Sequence, residues 1–109
     1  MKFKAINKNK EFLRGYKKGQ AAVDSLVVAY AIKNRFGYTR IGITASKKVG
    51  NAVKRNRARR VIRESIRHMP LDFSKGIDII LVARGKTPYV KQAAVEKQVE
   101  AQFKKMGLI

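Results

Sequence analysis

The stretch from Lys47 to Glu64 holds the residues best suited to chemistry: Lys-Lys-Val-Gly-Asn-Ala-Val-Lys-Arg-Asn-Arg-Ala-Arg-Arg-Val-Ile-Arg-Glu. At helical spacing Asn56, Arg59, Arg60, Arg63 and Arg67 fall along one side, while Ala58, Val61, Ile62, Ser65, Ile66 and Met69 fall opposite. Cations three and four residues apart repel one another, so this stripe is costly unless anions neutralise it. Arginine suits phosphate, because its planar fork holds two oxygens at once. Lys47 and Lys48, in the loop with Gly50 ahead of the helix, either contact phosphate, the favoured reading, or simply keep the loop soluble. The simpler account of any charge run is a solvated helix face. A membrane-surface helix is a poor fit, since it would set Trp, Phe or Leu where this one has Ala, Val, Ile and Ser.

Composition points the same way. The 109-residue chain carries 26 Lys and Arg against 7 Asp and Glu, a formal charge of +19, and a compact body so charged needs a polyanionic partner. With 45% hydrophobic residues it can build one core, so residues 1–109 read as a single domain. No apolar run approaches the ~20 residues of a membrane span, and no signal peptide is evident, so a soluble, cytoplasmic protein with no membrane partner is expected.

Catalysis by the protein itself would want carboxylates gathered round Mg²⁺. Glu11, Asp24, Glu64, Asp72, Asp78, Glu96 and Glu100 are instead scattered, and only Glu96 and Glu100 form an i, i+4 pair, which reads as a solvated helix face. There is no cysteine, and His68 is the single histidine, explained by its favourable place near a helix C-terminus. No catalytic residue, metal site or bound cofactor is therefore expected in the protein.

The elements that must position the basic stripe follow from periodicity. A short helix is expected from about Asn9 to Lys18, with Asn7 or Asn9 as N-cap, Phe12, Leu13 and Tyr16 at helical spacing, and Gly19 as a left-handed C-terminal cap. Ala22 to Ile32 alternates as a strand, with Leu26, Val28, Tyr30 and Ile32 on one face and Val27, Ala29 and Ala31 on the other. Thr39 to Ala45 alternates again after a polar turn, so the two strands should pair antiparallel. A further strand can lie in Gln20 to Asp24. Asn51 is placed to cap the basic helix, which should end near Met69, before Pro70. Ile77 to Arg84 is apolar enough for a strand buried on both faces. Thr87-Pro88 reads as the opening of a last helix, with Val95, Val99, Phe103 and Met106 inward and Gly107 as its stop. The order α-β-β(-β)-α-β-α fits an α+β fold, a single-domain α/β sandwich with helices packed on one sheet.

Lys47 to Glu64 also resembles the arginine-rich signature of bacterial ribonuclease P proteins, with Arg55-Asn56-Arg57 at the core of the motif and Arg59, Arg60 and Arg63 at its following basic positions. The resemblance extends over nearly the whole chain, through Glu11-Phe12 and Tyr16 to Gly19 upstream and Ile79 to Arg84 downstream. It implies a left-handed βαβ crossover carrying the basic helix, against the usual hand. It also implies that Lys47, Lys48, Arg55, Asn56, Arg57, Arg59, Arg60, Arg63 and Arg67 face a catalytic ribonuclease P RNA, and that Mg²⁺ is needed by the RNA–protein holoenzyme.

Phe12, Tyr16, Val28 and Tyr30 could be plain core residues. The resemblance implies instead that they line a cleft for the single-stranded 5′ leader of precursor tRNA. At helical spacing Arg55 and Arg59 lie where the basic stripe meets the docked side, so they could border that cleft as well as face the catalytic RNA. Tyr16 stands where the family often has Phe, which keeps a ring for stacking. The protein would then be an accessory subunit, one per RNA, in an endonuclease whose chemistry belongs to the RNA. A ribosomal or general RNA-binding protein is the alternative, and a protein-only nuclease is the least favoured.

Overall fold

The computed structural model describes residues 4–109. Five strands, β1 (Lys4–Ala5), β2 (Gln20–Val23), β3 (Val27–Lys33), β4 (Arg40–Thr44) and β5 (Ile77–Ala83), form one sheet in the order β1-β4-β5-β3-β2. Three helices flank it: α1 (Asn9–Lys18), α2 (Ala52–Ile66) and α3 (Gln92–Lys105). The α+β sandwich expected from the pattern is therefore present, with the short strand at Gln20 realised and β1 an added edge.

One expected pairing is wrong. β3 and β4 do not pair; β5 lies between them, antiparallel to β3 and parallel to β4. The reason lies in β5 itself, whose Asp78 to Leu81 are all buried and which needs a neighbour on each side. The loop from β3 to β4 crosses the start of β5, where Asn34 N–H donates to Gly76 O at 2.8 Å and Thr39 N–H to Phe73 O at 3.0 Å.

Alternate residues of the sheet serve two layers. Val27, Ala29, Ile41, Ile79 and Leu81 join Ala58, Ile62 and Ile66 of α2 and Val95, Val99 and Phe103 of α3 in the main core. Leu26, expected on the opposite face, belongs to this core too, because it sits in the β2–β3 turn rather than in the strand. On the other face, α1 settles on β5 through Gly15, where a Cβ would collide with Ile80 Cδ1. Gly42 on β4 leaves room for the Phe12 ring, which would lie 2.7 Å from a Cβ there.

Because β3 opposes both its neighbours, β1, β4, β5 and β2 all run the same way. The connections β1–α1–β2 and β4–α2–β5 cross the sheet in the same sense on opposite faces, so their hands are opposite. One of them must depart from the right-handed preference, and the family resemblance assigns that departure to α2.

Several helix ends differ from expectation. α1 begins after Lys8 with no side-chain cap, and Gly19 does close the helix, its N–H donating to Gly15 O at 2.8 Å, but it is extended at φ −77° and ψ 156° instead of left-handed. Its lack of a side chain matters because a Cβ would lie 2.5 Å from Gly15 O. Thr87-Pro88 forms a separate 3₁₀ turn, and α3 starts later, at Gln92. Thr87 Oγ donates to Leu26 O at 2.6 Å and accepts from Arg84 N–H at 3.0 Å, so it ties two loops together rather than opening a helix. α2 ends at Ile66, with Met69 held in a following turn by its N–H to Ile66 O, 3.1 Å. Two caps stand as expected. Asn51 Oδ1 accepts from Lys54 N–H at 3.0 Å, and Gly107, at φ 74°, closes α3 while Leu108 N–H reaches Phe103 O at 2.8 Å.

Arg40 locks α1 to the sheet. Its Nε donates to Asp78 Oδ1 at 2.9 Å, and its Nη2 reaches Asp78 Oδ2 and Glu11 Oε2, each at 2.6 Å. The Asp78 hydrogen bond, outweighing burial, raises the guanidinium pKa further above its ordinary value. Asp78 is 3% exposed and Glu11 19%. Removing Asp78 leaves a buried cation half-paired, so Asp78→Ala should cost about 3 kcal/mol in urea unfolding, and Glu11→Ala clearly less. Equal losses would show that the strand partner does not dominate.

Candidate nucleic-acid interface

The basic helix presents its stripe as the wheel requires. Ala58, Ile62, Ser65 and Ile66 are buried, Val61 is half-buried, and Asn56, Arg57, Arg60, Arg63 and Arg67 are exposed. Arg55 and Arg59 are half-buried at the margin. Two side-chain contacts order the stripe from within, Arg59 donating to Asn56 Oδ1 and Arg67 pairing with Glu64 at 3.2 Å, while Arg57 Nε reaches out of the helix to donate to Pro88 O at 2.7 Å. The side chains of Arg55, Arg60 and Arg63 have no intramolecular hydrogen-bond partner among the described residues. Arg57, expected only to face RNA, thus also anchors α2 to the 3₁₀ turn.

The start of α2 intensifies the positive field. Its first turn holds no acidic residue, although a helix N-terminus is itself a positive pole. Ser46 and Gly50, the latter at φ 137°, bracket a 3₁₀ turn that buries Val49 and leaves Lys47 and Lys48 exposed. Lys54 Nζ lies 5.2 Å from the centroid of Tyr89, a ring that is 65% exposed. Among the described residues only Arg40, Arg67 and Lys104 have carboxylate partners.

The aromatic group assembles on the opposite face. Tyr16 meets Tyr30 edge-on at 5.1 Å between centroids, and Phe12 lies 6.4 Å from Tyr16. Burial, with a smaller contribution from Tyr30, pushes the Tyr16 hydroxyl pKa above its ordinary value. Register places Val23, Val28, Val82 and Thr44 side by side in the next row of the same sheet face. Val28, Val82 and Thr44 are half-buried and Val23 is largely exposed, so the rings adjoin an uncovered apolar strip. Phe12, Tyr16, Val28 and Tyr30 therefore converge. Arg55 and Arg59 lie on a helix of the other face, whose first turns follow β4 out of the sheet at the Thr44 end.

Val23, Thr44 and Val82 are not legible as site residues in the sequence. The apolar run of β5 hides the parity of Val82, because both faces read alike. Tyr89 carries only the weak signal of an aromatic beside Thr87-Pro88.

The Ribonuclease P family profile matches residues 1–107. The ribonuclease P protein component of Clostridium botulinum strain 657 is 37% identical over 109 residues, covering 99% of this chain and 98% of that one. That of Clostridium acetobutylicum is 39% identical over 111 residues, covering 100% and 93%. Among solved structures, the RNase P protein of Staphylococcus aureus superposes with a TM-score of 0.82 at 34% identity, covering 98% of both chains. The Thermotoga maritima RNase P protein gives 0.78 at 27% identity, covering 94% of this chain and 96% of that one. With nearly its whole length matched in sequence and in fold, the chain belongs to the ribonuclease P protein family, as a protein component of that ribonucleoprotein endonuclease of tRNA processing.

Proposed function

We propose that the protein binds the catalytic RNA through Lys47, Lys48 and the outward face of α2, and the 5′ leader of precursor tRNA in the cleft beside α1. The observation that carries the leader reading is the convergence of Phe12, Tyr16 and Tyr30 from helix and sheet onto an uncovered strip of Val28, Val82 and Thr44. Bases stack on such rings with little sequence preference, at about 1–3 kcal/mol each, which suits an enzyme that meets many leaders. Phosphates leaving the strip at the Thr44 end would meet Arg55 and Arg59.

Chemistry belongs to the RNA in this reading, together with the Mg²⁺ the holoenzyme needs. Most of the protein's carboxylates are already engaged, Glu11 and Asp78 together on Arg40, Glu64 with Arg67, Glu100 with Lys104, Asp72 with Ser74 and Asp24 with the Ser25 N–H, and among the described residues no group of three acidic or histidine side chains could hold a metal ion. One protein per RNA, acting in the cytoplasm, completes the proposal. A variant of the Staphylococcus aureus protein is described as defective in mRNA degradation activity. An RNA-free control therefore matters in any cleavage assay of this chain.

Reconstitution with a bacterial ribonuclease P RNA tests the whole. Cleavage of precursor tRNA should require the RNA, and robust cleavage by RNA-free protein would overturn the division of labour. Arg60→Ala with Arg63→Ala should weaken RNA binding and make its salt dependence shallower, by about 0.7–0.9 in log–log slope for each phosphate no longer neutralised. Unchanged affinity and slope would return the stripe to a solvated face. Phe12→Leu with Tyr16→Leu should leave assembly intact and shrink the preference for leader-bearing over mature tRNA by about 1–3 kcal/mol for each base that can no longer stack. Measuring both tRNA forms on one preparation cancels any folded-fraction difference. An undiminished preference would reject the leader cleft and favour a general RNA-binding role.

A further inference from the structure

α1 divides its sheet face into two flanks. With Gly15 pressed on Ile80, Phe12 and Tyr16 turn to one side, and Lys10, Glu11 and Arg14 to the other. On that second side Lys10, Glu11, Arg14, Asn34, Phe36 and Arg40, joined by Arg35, enclose a hollow of about 370 Å³. The size falls in the range of small-ligand sites, roughly 300–1,000 Å³, and is far too small for a duplex.

We propose that this hollow is a second single-strand site, separate from the leader cleft, which takes one unpaired nucleotide: its base against Phe36 and its phosphate toward Lys10, Arg14 and Arg35. The ring is half exposed and yet firmly held. The Arg40 guanidinium lies 4.3 Å from its centroid, and Tyr38 packs 5.7 Å away. Phe36 N–H donates to Asn34 Oδ1 at 2.9 Å, while Asn34 Nδ2 donates to Tyr38 O at 3.0 Å and to Asp78 Oδ1 at 2.8 Å. The loop therefore hangs from the same buried carboxylate that fixes Arg40. With the Arg40 guanidinium already over the ring, the half of Phe36 that stays in water is apolar surface held in place by the loop's hydrogen bonds and open to a further planar partner.

The charges around the ring select an anion. Arg40 is neutralised by Asp78 and Glu11, which leaves Lys10, Arg14 and Arg35 as the cations of the rim. Arg14 spends one N–H on Lys33 O at 3.2 Å, and Lys10 and Arg35 make no ion pair among the described residues. The one carboxylate at the rim, Glu11, is already committed to Arg40. An aromatic platform beside unpaired cations is the chemistry of single-strand binding. Free phosphate would satisfy the cations and leave the ring idle, and an acidic peptide would not stack.

Amide chemical shifts of the full-length protein, titrated with a short oligouridylate, test the site directly. Amides of residues 34–38 should shift and saturate, and Phe36→Leu should weaken that local affinity about tenfold, the worth of one stack. Lys10→Gln with Arg35→Gln, neither of which takes part in the Arg40 network, should weaken it comparably while the Phe12 and Tyr16 region responds as before. The same shifts produced by inorganic phosphate or oligoglutamate at matched ionic strength, or no shift at all, would overturn the proposal. In the Phe12→Leu, Tyr16→Leu protein the response at 34–38 should persist, and its disappearance would show one continuous site instead of two. In the reconstituted holoenzyme, Phe36→Leu should then weaken RNA-subunit binding if the nucleotide is that RNA's, or precursor binding alone if it is the substrate's. No change in either would also reject it.

Discussion

The rest of this fold depends on covering the buried centre of β5, from Asp78 to Leu81. Seven residues from Ile77 to Ala83 contain one polar side chain, Asp78, and a strand of that kind requires layers on both faces and partners on both edges. β3 and β4 supply the edges, α2 and α3 one face, and α1 the other. The separation of β3 from β4, the crossing loop at Asn34 to Thr39 and the opposed hands of the two crossovers all follow from placing this strand in the middle.

Asp78 turns that constraint into something functional. A carboxylate inside an apolar strand must be paired, and Arg40, across the parallel register, pairs it. Because Arg40 also reaches Glu11, the position of α1 on the sheet is set by a charge network as well as by the close approach at Gly15 and Gly42. That position brings Phe12 and Tyr16 beside Tyr30. The same carboxylate holds Asn34, and through it the loop that carries Phe36. Both aromatic platforms thus hang on one buried ion pair, which gives them fixed geometry without a partner present.

Charge is distributed by a different logic. Glu11 and Asp78 lock α1 to the sheet, Glu64 and Glu100 pair within a helix turn, and Asp24 and Asp72 bond inside turns, so the cations from Lys47 to Arg63 have no carboxylate partner among the described residues. Self-repulsion of this kind destabilises an isolated domain and favours a polyanion. Fold and recognition are in tension until the RNA is bound, and the tightly packed sheet allows the chain to tolerate it.

Much of this was legible in the residues alone. The helical spacing of Ala58, Ile62 and Ile66 determined which side of the basic helix docks, and hence which arginines face outward, because burial of apolar groups overrides the repulsion of the charges opposite. Asn51 and Gly107 marked helix ends through capping chemistry that operates over a few residues. Pairing was another matter. Alternation in β3 and β4 gave each strand two faces but named no neighbour, since any strand edge offers the same backbone donors and acceptors. Thr87 likewise misled as a cap, because Leu26 O, which decides its role, is distant in sequence; Gly19 does cap α1, but in an extended conformation that carries the chain into β2 instead of the left-handed one its residue type suggested. Arg40, Glu11 and Asp78 looked like scattered charges until the parallel register of β4 on β5 set them together. The local sequence determined elements and faces, which depend on neighbours along the chain; only the tertiary structure decided which elements adjoin, because that choice rests on burying β5 and pairing the one charge inside it.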